Sequence, residues 1–187
     1  MKLAVFDLDG TLLSVDAGVE WIHYLNQHSG VDMTWAVKQC QQHYSDYHAG
    51  CFNVEKFMAF HMQVLSQFPR QFLLILRESF IRDVIKPKVE NSALSLVQAM
   101  KAAGYTLVMA TGTQRFISEP IAQLFDIQHV LATTPQLTAT GEFSGEHFLD
   151  YCYGASKIDR VEDFLNRYHQ TVDRLESLVF YTDSITD

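Results

Sequence analysis

Asp7 and Asp9 sit two residues apart in the run Asp7-Leu8-Asp9-Gly10-Thr11, directly after a short apolar stretch, residues 3–6. Two carboxylates at that spacing, just past a buried strand, can share one side of a turn and chelate a hard cation. Mg²⁺ prefers oxygen ligands and takes one or two carboxylates, completing its shell with phosphate and water. Gly10 permits a sharp turn behind the pair. The same residues also suit an Asx-turn that caps free amides at a strand end, and the local pattern leaves both readings open. Three further groups favour the first. Thr111-Gly112-Thr113 follows a second apolar run and offers a hydroxyl and backbone amides to a phosphate. Lys157 offers a compact ammonium charge. Asp183 and Asp187 follow a third apolar run, where they are placed to complete a metal site. Singly, Thr111 fits a plain turn and Lys157 a solvated helix residue; in this order at strand ends, they point to phosphoryl chemistry.

Electrostatics requires such a set. Two unit charges ~4 Å apart interact by ~4 kcal/mol at an effective dielectric of ~20, so a carboxylate approaching a dianionic phosphate is repelled by several kcal/mol. A divalent cation and one lysine together reverse the sign.

The elements that must hold these groups are strands at residues 3–6, 106–110, 129–132 and 178–181, each of the three longer ones with polar residues just past its carboxyl end. In open α/β sheets that edge is where ligands bind. Helix-length segments at 19–28, 35–48, 54–66 and 70–84 lie between the first two strands, broken by Gly30, Gly50 and Pro69. Val54, Phe57, Met58, His61, Met62 and Leu65 make one apolar stripe at helical spacing. A crossover needs only about a dozen residues, so this long stretch is an inserted helical subdomain. A crossover helix is expected over 92–103, a small hairpin over 137–143 and a helix over 156–168. The fold class is therefore α/β: a Rossmann-like three-layer core with a mainly parallel sheet (1–14 and 87–187) and an inserted all-helical cap (15–86).

With 187 residues, 48% hydrophobic and 19% charged, the chain can bury an ordinary core. Fourteen Lys+Arg against 22 Asp+Glu, a net charge of −8, argues against nucleic acid or an anionic membrane as partner. The longest apolar runs, such as 72–76, are too short to span a bilayer, and the N-terminal run is too short for a signal-peptide core. Cys40, Cys51 and Cys152 are odd in number, widely spaced and form no Cys-x-x-Cys pair. That usage suits a reducing cytoplasm rather than a disulfide framework.

The ordered motifs resemble those of the haloacid dehalogenase superfamily, in its phosphoserine-phosphatase-like branch: Asp7-Leu8-Asp9-Gly10-Thr11, Thr111, Lys157, then Asp183-Ser184-Ile185-Thr186-Asp187. The helical insert behind the first motif matches the position of that branch's cap, and Thr140-Gly141-Glu142-Phe143-Ser144-Gly145 is also similar to it. The resemblance implies an Mg²⁺-dependent phosphatase acting on a small phosphorylated metabolite. Asp7 would attack phosphorus to form an aspartyl-phosphate. Asp9 would protonate the leaving oxygen, then deprotonate the hydrolytic water. The Asp7 side chain, the Asp9 backbone carbonyl and Asp183 would hold the metal; Thr111 and the Gly112 amide would hold phosphate oxygens; Lys157 would neutralise both phosphate and nucleophile. A phosphotransferase using the same intermediate, or a catalytically impaired, truncated binding module, stay open as alternatives. A response-regulator receiver domain does not fit, because its phosphorylated aspartate follows a later strand.

The chain departs from the family in three places. Thr182 stands where glycine is usual. The sequence stops at Asp187, where relatives continue, which suggests a natural truncation or part of a longer protein. In phosphoserine phosphatases an early acidic residue binds the amine, a role open to Asp16, and a cap arginine binds the carboxylate. Here Ala59 and His61 occupy the arginine's region and no arginine precedes Arg70, so phosphoserine is disfavoured. The cap is instead rich in rings (Trp21, His23, Tyr24, Trp35, His43, Tyr44, Tyr47, His48, Phe52, Phe57, Phe60, His61). These either pack the helices together or line a pocket for an aromatic or cationic group. The sequence carries no signal of oligomeric state.

Overall fold

Side chains alternate along the first strand, β1 (Lys2–Phe6): Leu3 and Val5 point to one face and Ala4 and Phe6 to the other, and all four are buried. A strand buried on both sides belongs inside a parallel sheet covered by helices, and the computed structural model, which describes residues 1–184, shows that arrangement. Four parallel strands run in the order β3-β2-β1-β6, with β2 at Tyr105–Ala110, β3 at His129–Leu131 and β6 at Ser177–Tyr181. Phe6 pairs with Met109 on one side and Tyr181 on the other, so the ends of β1, β2 and β6 lie level. The chain leaves β1 for β2 and β3, then returns to the other side of β1. The order therefore reverses at β1, the topological switch point where open sheets form a ligand crevice.

Between β1 and β2 come α1 (Ala17–His28), α2 (Thr34–His48), α3 (Val54–Ser66) and α4 (Arg70–Phe80), then the crossover helix α5 (Asn91–Ala102). Asp16 caps α1 by accepting from the Val19 amide at 2.9 Å, and Asn53 caps α3 through the Lys56 amide at 2.9 Å. The expected helix over 70–84 ends earlier: Ile81–Ile85 winds into a single π-helical turn, followed by a 3₁₀ turn at Lys86–Lys88. The insert is not isolated from the sheet. One apolar cluster runs from Phe6, Leu107 and Met109 into the four helices, with the Trp21 ring edge-on to Phe80 at 5.2 Å and to Phe116 at 6.1 Å.

A helix not among those expected above, α6 (Arg115–Leu124), follows β2. Pro120 lies inside it, and proline reads as a helix breaker because it takes away one amide donor. The carbonyl that this amide would have paired belongs to Phe116. The Arg77 guanidinium of α4 donates to it instead, at 2.8 Å, while lying 4.4 Å over the Phe116 ring. Tertiary contact thus supplies what the local sequence lacks.

The hairpin consists of β4 (Pro135–Leu137) and β5 (Phe143–His147). Its Glu142 carboxylate accepts from the Arg70 amide at 2.6 Å, capping α4 across the chain. Finally α7 (Ser156–Asn166) covers the opposite face of the sheet, where Val161, Phe164 and Leu165 meet Leu3, Val5 and Val108.

Candidate active site

Asp7 is the first residue past β1, and its amide is fixed by the Tyr181 carbonyl of β6 at 2.9 Å. Its carboxylate meets the Lys157 ammonium at 3.0 Å, and both side chains are almost wholly buried. Lys157 lies in the first turn of α7, the end at which the helix dipole disfavours a cation. A desolvated ammonium held there needs a strong compensating partner, and Asp7 is that partner.

The Asp9 carboxylate is held by the first and second strand-end turns. One oxygen accepts from the Ala17 amide at 2.7 Å; the other accepts from the Thr113 hydroxyl at 2.7 Å and the Thr111 hydroxyl at 3.3 Å. Enclosure by protein atoms, and next the Asp16 charge, push the Asp9 carboxyl up to about 8. A carboxyl so placed holds a proton near neutrality.

Thr111 is fully buried. Its amide donates to Leu131 of β3 and its hydroxyl accepts from the Thr113 amide, both at 3.0 Å. The residues of this turn that face the cavity are Gly112 and Thr113. A β-carbon at position 112 would reach 3.4 Å from the Tyr153 ring. Sequence reasoning missed Thr113 as a partner of Asp9. Its one signal, a second hydroxyl two residues after Thr111, is common in turns.

Asp183 follows β6, and its backbone amide and carboxylate both engage the Thr11 hydroxyl at 3.0 Å. Gly10 has φ +76, and a β-carbon there would lie 2.7 Å from the Asp183 carboxyl carbon. The bare glycine thus lets the carboxylate that follows β6 close over the turn after β1. The usual glycine at position 182 is not needed here: among the described residues, only Asp126 and His169 adopt positive φ without being glycine. Asp187, the remaining expected metal ligand, lies outside the described residues.

Asp7, Asp9, Lys157, Gly112, Thr113 and Asp183 open onto one cavity of about 200 Å³, and Asp16 lines it as well. Asp16 keeps much of its surface exposed there, and the partial desolvation raises its carboxyl above the ordinary carboxylate value. Above these groups the walls are aromatic: Tyr44, Tyr47, Phe52 and Phe57 from the insert, Tyr153 from beside α7. The ring-rich segment therefore splits. Trp21, Phe60 and His61 are buried among the helices, whereas His43, the two tyrosines and the two phenylalanines border the cavity. No arginine appears among the described lining residues.

The donors fit Mg²⁺. Asp7 and Asp183 bring carboxylate oxygens to one cavity from adjacent strand ends, and the space a β-carbon would fill at Gly10 is what admits Asp183. No group of three metal-ligating side chains occurs among the described residues. Mg²⁺ does not require one, since it commonly keeps one or two carboxylates and takes phosphate and water for the rest. No helix among the described residues is long and apolar enough to cross a membrane.

Comparison with known proteins agrees with this fold. The chain is 29% identical to histidinol-phosphatase from Neisseria meningitidis serogroup C over its full length and 84% of that protein. It also matches a solved structure of a protein of unknown function from Bordetella pertussis Tohama I, at 29% identity and a TM-score of 0.92, covering all of this chain and 83% of that one. A substrate-bound phosphoserine phosphatase shares the fold at a TM-score of 0.64 and 15% identity, with 96% of this chain and 77% of that chain covered. The model of the haloacid dehalogenase-like hydrolases matches residues 4–187. The chain belongs to that hydrolase family.

Proposed function

We propose that this protein is an Mg²⁺-dependent phosphatase that hydrolyses a small phosphomonoester through an aspartyl-phosphate on Asp7. The buried Lys157–Asp7 pair, on a cavity shared with Asp9 and Asp183, carries the reading. A structural ion pair has no need of a cavity at a topological switch point.

The Asp7 carboxylate attacks phosphorus in line with the ester oxygen, and the bond from phosphorus to that oxygen breaks. Asp9, protonated in its enclosed site, gives its proton to the departing oxygen. Its carboxylate then takes a proton from water, whose oxygen attacks phosphorus and releases Asp7 and inorganic phosphate. The Gly112 backbone amide, on the cavity wall beside Thr113, supplies a donor for phosphate oxygens, the Thr111 and Thr113 hydroxyls hold the Asp9 carboxyl, and Lys157 offsets charge on both phosphate and nucleophile. Asp7, Asp183 and the Asp9 carbonyl would hold Mg²⁺, which when bound adds the positive charge that overcomes repulsion between carboxylate and phosphate. The helices of residues 15–86 form the roof that limits water and selects the ester. Similarity to the meningococcal histidinol-phosphatase makes histidinol phosphate the first ester to assay.

Phosphate release from histidinol phosphate and a panel of metabolite esters, with Mg²⁺ and with chelator, tests this. Metal-dependent release that disappears in Asp7→Asn is the expected result. Release that survives in that variant would overturn the assignment of Asp7.

A further inference from the structure

The segment between β5 and α7, residues 148–155, forms neither helix nor strand, yet it carries Tyr153 and delivers Lys157 to the cavity. It also abuts the turn after β2: a β-carbon at position 112 would lie 3.4 Å from the Tyr153 ring and 4.0 Å from the Cys152 carbonyl. No side chain caps the N-terminus of α7. A lysine on a flexible four-carbon stem keeps one place only if the backbone beneath it is fixed, so that turn must be held from elsewhere.

A chain of polar side chains outside the cavity does this. The Asp150 carboxylate accepts from the Thr134 amide at 2.9 Å and from the Thr134 hydroxyl at 2.7 Å. The same hydroxyl accepts from Arg115 Nε at 3.1 Å, and the Arg115 guanidinium also donates to the Val130 carbonyl of β3 at 2.7 Å. Arg115 opens α6 directly behind the turn that carries Gly112, and its amide donates to the Thr133 carbonyl at 2.9 Å. On the other side of Asp150 lies the Arg160 guanidinium, 3.8 Å away, one helical turn past Lys157 on the same face of α7. The Asp150 and Arg160 side chains are only 18% and 17% exposed, and Arg160 Nε is buried with no hydrogen-bond partner among the described residues. A guanidinium so desolvated depends on its carboxylate, and removing either partner strands the other. The chain therefore runs from the turn after β2, past the end of β3, to the helix that presents Lys157.

We propose that Asp150 is a positioning residue for Lys157. By tying Thr134 to Arg160 it fixes residues 148–155 and the first turn of α7, and so holds the ammonium at its 3.0 Å contact with Asp7. Its effect on rate rests on the phosphatase reading; its effect on the place of Lys157 does not. Misplacing a reacting group by about 1 Å costs up to about a hundredfold in rate, so the brace governs turnover without touching the ester.

Two variants probe it. Asp150→Ala removes the centre of the brace, and Thr134→Val removes only the hydroxyl while keeping shape and amide. Acetylation of the folded protein by acetic anhydride, mapped by mass spectrometry against the exposed Lys86, reads the lysine directly. Lys157, 4% exposed, should label slowly in the wild type, about tenfold faster in Asp150→Ala and less markedly faster in Thr134→Val. Arg77→Met, which weakens the fold elsewhere, should leave Lys157 as protected as before. Labelling that stays slow in both brace variants, or that rises equally in Arg77→Met, would overturn the proposal. In turnover, Asp150→Ala should lower kcat about tenfold or more, but less than about twofold when Lys157→Met is already present. Equal losses in the two backgrounds would show that Asp150 does not act through Lys157. If the wild type releases phosphate from no ester, the phosphatase reading fails by itself, and the labelling alone then decides whether Asp150 holds Lys157.

Discussion

The Asp183 carboxylate lies where a β-carbon on Gly10 would have to go, so one missing side chain lets the ends of β1 and β6 share a site. Gly10→Ala should act on two properties at once. The left-handed backbone at φ +76 costs alanine about 1–2 kcal/mol, and the displaced Asp183 should weaken Mg²⁺ binding at least several-fold. Chemical denaturation and a calorimetric Mg²⁺ titration measure the two separately. A variant that loses stability but binds Mg²⁺ as before would show that Asp183 is not a ligand.

The Lys157–Asp7 pair gives a second prediction. Lys157→Met strands a buried carboxylate, which in comparable sites costs about 3 kcal/mol, and should lower kcat by roughly 10²–10³. Adding Asp7→Asn removes the stranded charge, so the double variant should be more stable than the sum of the single effects predicts. Additive stabilities in a double-mutant cycle would mean that the two groups are not coupled.

Arg77 and Pro120 are linked through the Phe116 carbonyl. Arg77→Met should leave that carbonyl unpaired and cost about 1–3 kcal/mol. Pro120→Ala restores an amide in the same helix and should recover part of the loss in the Arg77→Met background. Urea melts of the four proteins check this, and no recovery would contradict the linkage.

His61 supplies a pH dependence. Burial, and next His43, push its pKa down to about 3, and its Nε2 has no hydrogen-bond partner among the described residues. In the unfolded chain a histidine binds a proton below about 6.5, whereas folded His61 stays neutral down to about 3. Between those values the unfolded state holds the extra proton, so this residue lowers stability as pH falls, by about 1.4 kcal/mol per pH unit. Between pH 6.5 and pH 5, wild type should therefore lose about 2 kcal/mol more than His61→Leu. Parallel stability curves for the two proteins would refute the assignment.

The expected site residues that meet at the cavity are those whose chemistry is local. Asp7 and Asp9 are two positions apart, and Lys157 and Asp183 open or follow an element with a clear hydrophobic period. The groups that went unnoticed act across the chain. Thr113 reaches Asp9 over 104 positions, Tyr153 meets Phe52 only through folding, and Arg77 repairs α6 from another helix. Proline preferences describe an isolated helix, where no guanidinium replaces the amide that Pro120 lacks. The cap rings were visible as composition, but their division between packing and cavity wall depends on helix orientation, which the spacing of Phe57 and His61 on one stripe could not decide. The expected boundary near residue 15 also crosses a single apolar cluster, since Trp21 belongs to the same packing as Phe6 and Phe116.

The central claim is that Asp7 itself carries the phosphoryl group. Rapid acid quench during turnover of a phosphoryl-labelled ester, followed by peptide mapping, measures this directly. The account predicts label on the peptide containing Asp7, bound through a carboxylate, and none in Asp7→Asn. Label on any other residue, or turnover with no phosphorylated enzyme even in a variant slowed at the hydrolytic step, would contradict it.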